Sequence, residues 1–326
     1  MKVFLNYIHS FRGLAIIFIV AGHCIYAFNW DNNLLLRAIL GRFINNGTVL
    51  FVFIAGYLFQ HLSYKYDFKT YMKSKLNNVL LPYIIISVPA IVKAVFIAHD
   101  KGFDEYPKML KIILLYVTGR HLEPLWFIPM IALFYVVSPL LIKLDKKNIL
   151  YYSLPFFVIV SSIVPRNNLN IFQAFVHFIS VYVGGMFCSR YREQTIKFTK
   201  KYFYPLVILF FLIFIADVYT TYTGSVLGFL NLWGKLLLCL LLINILQRFD
   251  AIVKDKFNYL AEISFGLYFL HAYVVSVFSK IIPDGSINGN IIFYSLYAFS
   301  AIAMTTLILF IAKKILGSRS RSIVGC

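Results

Sequence analysis

Charge is scarce in this chain, and acid scarcer still: 13% of its 326 residues are Asp, Glu, Lys or Arg, with 31 basic side chains against 13 acidic ones. A soluble domain carries about twice that charged share, so the deficit excludes an ordinary water-soluble protein. Paired cysteines are missing as well. Cys24, Cys188, Cys239 and Cys326 show no framework spacing and three of them lie in apolar runs, which argues against disulfides and against a thiolate metal site. His9, His61, His99 and His121 likewise have no metal-ligand spacing. No Gly/Ser linker, internal repeat or compositional break marks a second domain, so residues 1–326 read as a single unit. A cleavable leader is not expected either: the first apolar run is longer than a signal-peptide core, lacks a small-residue cleavage site and contains Arg12 and His23.

What the chain has in abundance is apolar surface. Hydrophobic residues make up 60% and aromatics 18%, gathered in runs of about twenty rather than in amphipathic stripes. The expectation is an all-α, polytopic membrane bundle of about ten transmembrane helices, near 7–28, 44–62, 76–98, 124–143, 149–164, 169–188, 202–220, 229–247, 260–280 and 290–312. A shorter run, Met109 to Val117, is too brief to cross and reads as re-entrant or interfacial. The net charge of +18 then loses its usual nucleic-acid meaning, because the basic residues sit in short connections. Twenty of them fall at Lys2 and in 65–75, 143–147, 190–201, 248–256 and 313–321, against eight in the alternate loops. That asymmetry predicts both termini in the cytoplasm of a multi-pass protein of the inner or plasma membrane. The longest outer connection carries Asp100, Asp104, Glu105 and Glu123 and offers an acidic surface to a partner.

Ionisable residues inside such spans are costly and point into the bundle. Arg12 and His23 are eleven residues apart, which is three helical turns plus about 20°, so they share one face some 16 Å from end to end. Ser264, Tyr268 and His271 form a second stripe at i, i+4 and i+7. His177, Ser180 and Gly184 make a third, for which close packing through Gly184-Gly185 is the simpler reading. Lys93, Asp217 and Lys235 fall toward span ends, where snorkelling to the interface accounts for them.

Four fragments together resemble one family. Arg12, ten residues and His23; Leu50 to Leu58; Leu125-Trp126-Phe127-Ile128 with Tyr135 and Ser138-Pro139-Leu140; and Ile263 to His271 are similar, in that order, to the acyltransferase-3 family of membrane acyltransferases. The resemblance covers most of the chain and matches the stand-alone form, without the hydrolase-like domain of longer relatives. Two departures stand out. Lys75 and Asn78 occupy the basic loop where relatives commonly have Arg-x-x-Arg, and Ala55 stands where many have serine. The resemblance implies O-acetylation: transfer of an acyl group, usually acetyl from the co-substrate acetyl-CoA, to a hydroxyl of a sugar, polysaccharide or lipid-linked glycan, with no permanently bound cofactor.

Such chemistry needs a base whose pKa lies near working pH, and the His23 imidazole suits it. Arg12, with Lys73 and Lys75, would hold a donor phosphate; the reach from Arg12 to His23 is similar to that of a pantetheine arm. Glu123 and Trp126 would orient the acceptor, with Ser264, Tyr268 and His271 in support. The plainer alternatives are a snorkelling Arg12, a packing His23, an interfacial Trp126, topology-setting lysines and interhelical hydrogen bonds from the Ser264 stripe. Two other functions stay open from sequence: a transporter or polysaccharide exporter with a proton relay, and a catalytically degenerate assembly partner.

Overall fold

In lipid every backbone N–H and C=O must be satisfied within the chain, so long apolar runs have no choice but to be helices. The structure, a computed structural model, describes residues 5–45, 47–98 and 101–326, and among them contains no strand. Lys2, His99 and Asp100 lie outside the described residues, as do the side chains of Lys254 and Lys256. Among the described residues, eight helical segments are long and apolar enough to cross a membrane: Asn6–Ala27, Asp31–His61, Phe68–Ile97, Ile171–Arg190, Phe203–Tyr222, Gly228–Arg248, Ser264–Ile281 and Ile291–Ile323. A ninth forms if Glu123–Val136 and Ser138–Lys146, bent by 49° at Val137, are one span.

The remaining expected span, 149–164, is broken at Ser153 into Ile149–Tyr152 and Leu154–Ile163. Ten residues rise only about 15 Å, half the hydrocarbon thickness. The run Met109–Val117 lies in the helix Lys108–Thr118. Residues 34–44, expected to be a connection, form a further helix, Leu34–Ile44. It feeds Gly47–His61 and carries Arg37 and Arg42.

The helix Asn6–Cys24 is the hub, packing on Leu34–Ile44, Gly47–His61, Gly228–Arg248, Asp250–Glu262, Ser264–Ile281 and Ile291–Leu316. Its twelve buried residues, from Tyr7 to Cys24, lie all round it rather than along one stripe, as befits a central helix. Phe203–Tyr222 and Ile291–Leu316 instead turn Ile208, Leu212, Ile215, Phe299 and Leu307 outward. In water this would be an aggregation surface; in a bilayer it is the lipid-facing belt.

Small residues set the closest contact. Gly56 and Gly185 let Gly47–His61 and Ile171–Arg190 touch backbone to backbone: a Cβ on Gly56 would strike the Tyr182 carbonyl, and one on Gly185 the Phe53 carbonyl. Gly185 thus behaves as the sequence suggested, whereas Gly184 faces open space. Asn170 and Asn290 cap the helices that follow them, each accepting two backbone N–H bonds at 2.9–3.1 Å. The connection after the first helix is pinned to the one before the last by Asn29 N–H to Ile287 O at 2.9 Å, with Gly289 against the Trp30 ring.

Candidate active site

Helical arithmetic puts Arg12 and His23 on one face, and the fold gives that face its partner. The stripe on Ser264–Ile281 runs parallel to it: Ser264 meets Arg12, and His271 meets His23. The Arg12 guanidinium donates through Nε and Nη2 to Ser264 Oγ at 3.1 and 2.9 Å, and through Nη2 to the Ala261 carbonyl. Three turns further along the first helix and two along its partner, the His23 and His271 rings lie 5.2 Å apart. His271 is wholly buried, its Nδ1 2.9 Å from the Leu267 carbonyl, while its Nε2 has no hydrogen-bond partner among the described residues. Tyr268, between Ser264 and His271 on the stripe, donates to the Pro124 carbonyl and so ties the Glu123-Pro124-Leu125-Trp126 turn to it.

A cavity of about 910 Å³ opens beside His23. The His23 side chain retains 25% exposure there, and its Nδ1 is 3.9 Å from a carboxylate oxygen of Glu123, which is 71% exposed. Trp126 stacks on Phe178 with centroids 6.2 Å apart and planes at 20°, and the Arg166 guanidinium sits 5.0 Å from its indole centroid. Asn168 Oδ1 accepts from Arg166 Nε at 2.8 Å. His177, on the same wall, holds the loop that carries Arg166 through Nδ1 at 2.8 Å from the Val164 carbonyl. Burial lowers the Arg166 guanidinium to about 10, against the opposing pull of Tyr26 and Glu123; it remains a cation at neutral pH.

Behind this wall lies an ion cluster that contradicts a snorkelling role for Asp217 and Lys235. Both are buried, at 2% and 3% exposure. Asp217 pairs with Arg42 Nε at 3.4 Å and accepts from Asn231 Nδ2 at 3.0 Å, and Lys235 donates to the Phe43 carbonyl with Phe18 5.3 Å from its Nζ. The physical reason is the helix Leu34–Ile44, which packs against Phe203–Tyr222 and brings Arg42 into the bundle beside them.

Arg12 does not line the cavity. It lies at the other end of the first helix, within electrostatic reach of Lys75 and Arg321. The Lys75 ammonium sits 5.2 Å from the Tyr71 ring and 5.1 Å from that of Tyr135, turned into the bundle, while Lys73 is exposed. Arg321 arrives on the short helix Ser320–Ile323, which packs against Leu81–Val92 and the π turn Leu76–Leu80.

The structure therefore groups His23, Glu123, Trp126, Tyr268 and His271 at one end, and Arg12, Ser264 and Lys75 at the other, and leaves Lys73 outside both. Sequence reasoning missed Arg37, Arg42, Arg166 and Arg321. Arg166 and Arg37 did carry a signal: both fall in the connections that the charge count expects to be outer, where cations are fewer. No cluster of His, Cys, Asp or Glu among the described residues has metal-binding geometry.

A family model for acyltransferase-3, described as an acyltransferase domain, matches residues 5–311. No curated protein and no solved structure matches the chain.

Proposed function

The chain belongs to the acyltransferase-3 family and is a multi-pass membrane acyltransferase, and from that premise we propose that it moves acetyl from acetyl-CoA to a hydroxyl of a cell-surface or lipid-linked glycan at the inner or plasma membrane. The observation that carries this reading is the position of His23: a histidine of the central helix whose side chain stays 25% exposed in a roomy cavity, with a carboxylate oxygen 3.9 Å from one nitrogen. Cavities of 300–1,000 Å³ suit small-molecule ligands.

In this reading the neutral His23 imidazole takes the acceptor hydroxyl proton as that oxygen attacks the thioester carbonyl. The C–S bond then breaks and the coenzyme A sulfur leaves with the proton returned by His23. Glu123, near Nδ1, favours the tautomer that carries its proton there and leaves Nε2 as base, and it steadies the imidazolium that forms. Trp126 offers a flat apolar face for a sugar ring. His271 backs the His23 ring, and Tyr268 keeps the Trp126 turn in place.

The donor enters at the Arg12 end. Arg12, Lys75 and Arg321 concentrate positive charge there, which favours the phosphates of coenzyme A, and the eleven-residue rise of about 16 Å to His23 gives the pantetheine arm its path. Lys73 adds a solvent-exposed cation nearby. The test uses the purified protein in lipid nanodiscs with labelled acetyl-CoA and a lipid-linked glycan extract. Wild type should consume thioester and label glycan, and H23A should lose at least 100-fold of that rate while still binding acetyl-CoA. Solute movement with no thioester consumed would make the protein a transporter and end the proposal.

A further inference from the structure

The residues after the last long helix fold back onto the bundle. The family match ends at residue 311, yet Ile291–Leu316 is followed by the turn Gly317–Arg319 and the helix Ser320–Ile323, which return to the Arg12 end. The segment is tied to itself: the buried Ser320 donates its hydroxyl to the Cys326 carbonyl at 2.5 Å, and the Val324 and Gly325 N–H groups both reach the Ser320 carbonyl, at 2.8 and 3.1 Å. It is also seated on its neighbours. Gly325 lies at φ +84°, in the left-handed region, and a Cβ there would stand 2.9 Å from the Phe269 ring; a Cβ on Gly266 would stand 3.2 Å from that of Cys326. Gly266 and Phe269 belong to the helix whose Ser264 holds Arg12. On the other side, Ser320–Ile323 packs against Leu81–Val92 and the turn Leu76–Leu80 that follows Lys75.

This seat delivers Arg321 to a place between two cations from distant parts of the chain. Arg12 is bonded to neutral oxygens of Ser264 and Ala261, Lys75 rests against two tyrosine rings, and Arg321 lies within electrostatic reach of both, with Glu262 the carboxylate that acts on Arg12. Arg321 itself is exposed, so a ligand can reach it from the side that the charge asymmetry expects to be cytoplasmic. Positive charge converging from three elements raises the local concentration of a multiply charged anion. Coenzyme A, with a diphosphate and a 3′-phosphate, is one. A guanidinium meets phosphate oxygens two at a time, which the Lys75 ammonium does not.

We propose that the segment Gly317–Cys326 is a clamp for the acyl donor, in which Arg321 bonds a phosphate of coenzyme A and the seat of Gly325 on Phe269 holds it in place. This rests on the acyl-transfer reading and deepens its donor site.

Calorimetric binding of acetyl-CoA to the full-length protein in phosphatidylcholine nanodiscs tests it, with S-acetylpantetheine, which has no phosphate, as competitor. R321Q should weaken acetyl-CoA binding roughly five-fold and leave competition by S-acetylpantetheine unchanged; R321K, which keeps charge but loses the fork, should fall between. G325V, which drives a side chain into the Phe269 ring, should reproduce the R321Q loss, and the double variant should lose no more than R321Q alone. Arg321 is exposed, so R321Q and R321K remain informative if G325V does not fold. An acetyl-CoA affinity within two-fold of wild type in R321Q, or an equal loss for S-acetylpantetheine, would overturn the proposal. So would an R321Q effect that appears only in nanodiscs with added anionic lipid, which would assign the guanidinium to a headgroup. Thioester consumption, measured in parallel, separates the two ideas. Turnover with donor affinity unchanged in R321Q removes only the clamp, whereas Arg321-dependent acetyl-CoA binding with no thioester consumed keeps the clamp and removes acyl transfer.

Discussion

Replacing Asp217 by Asn should be among the most damaging single changes in the molecule, although the side chains are nearly isosteric. Asp217 is 2% exposed and is the carboxylate facing both Arg42 and Lys235. Its loss leaves one guanidinium and one ammonium in the bundle with only neutral partners: the Thr221 hydroxyl oxygen for Arg42, and the Phe43 carbonyl oxygen with the Phe18 and Phe43 rings for Lys235. Breaking a buried pair from one side costs about 3–5 kcal/mol, because the remaining charge has lost its counterion rather than merely a contact. At a specific unfolding entropy near 2 cal/mol/K per residue, a chain this long should lose roughly 5–8 °C of melting temperature. K235M removes a charge and leaves the balanced Arg42–Asp217 pair, so it should cost far less. The assay is thermal unfolding in one detergent, followed by tryptophan fluorescence, for wild type, D217N, K235M and the double variant. The reasoning fails if D217N melts within about 1 °C of wild type, or if K235M is the more damaging of the two.

Other outcomes follow from the same contacts. R12A should raise the acetyl-CoA KM about ten-fold, whereas S264A, which removes the same tether without removing the charge, should lower melting temperature and leave KM near wild type; a KM rise in both variants would make Arg12 structural. His121, buried with Nδ1 3.0 Å from the Leu115 carbonyl, has its pKa lowered by burial to about 4. The unfolded chain binds a proton near pH 6.5 that the folded chain refuses until about pH 4, so stability is intact above that window and declines as pH falls through it, by roughly 3 kcal/mol in all. Melting curves from pH 7 to 4 should show a slope that H121Q flattens, and identical slopes would refute it. G185A should cost about 1–3 kcal/mol by forcing the two helices apart, while G184A, which meets open space, should be within about 0.5 kcal/mol of wild type.

Much of the fold was legible because the bilayer enforces it: runs of about twenty apolar residues must be helices, and most of the expected spans stand where hydropathy put them. The break at Ser153 had a signal that went unread, Pro155 in the first turn of the helix that follows it, whereas the helix Leu34–Ile44 was not legible because it lies in a segment with arginines among its leucines. The Arg12–His23 and Ser264–His271 stripes could each be computed from helical period. That they face one another in register could not, because period says nothing about which helix lies next door. Asp217 and Lys235 were misread for a related reason: depth in the membrane follows from span boundaries, and a helix absent from the expected set, Leu34–Ile44, carries their partner Arg42. Arg166 belongs to a loop with no period at all, so only its rarity on that face hinted at it.

The bond between Arg12 and Ser264 spans 252 residues of sequence, and this has a consequence for biogenesis. The guanidinium enters the insertion machinery 252 residues before the hydroxyl, and 249 before the carbonyl, that receive it. At 5–20 residues per second the wait is roughly 13–50 s. Throughout that interval the most polar part of the first helix has no native host, so the nascent chain must be sheltered at the translocon, or kept shallow, until the penultimate helix arrives to close the bundle around it.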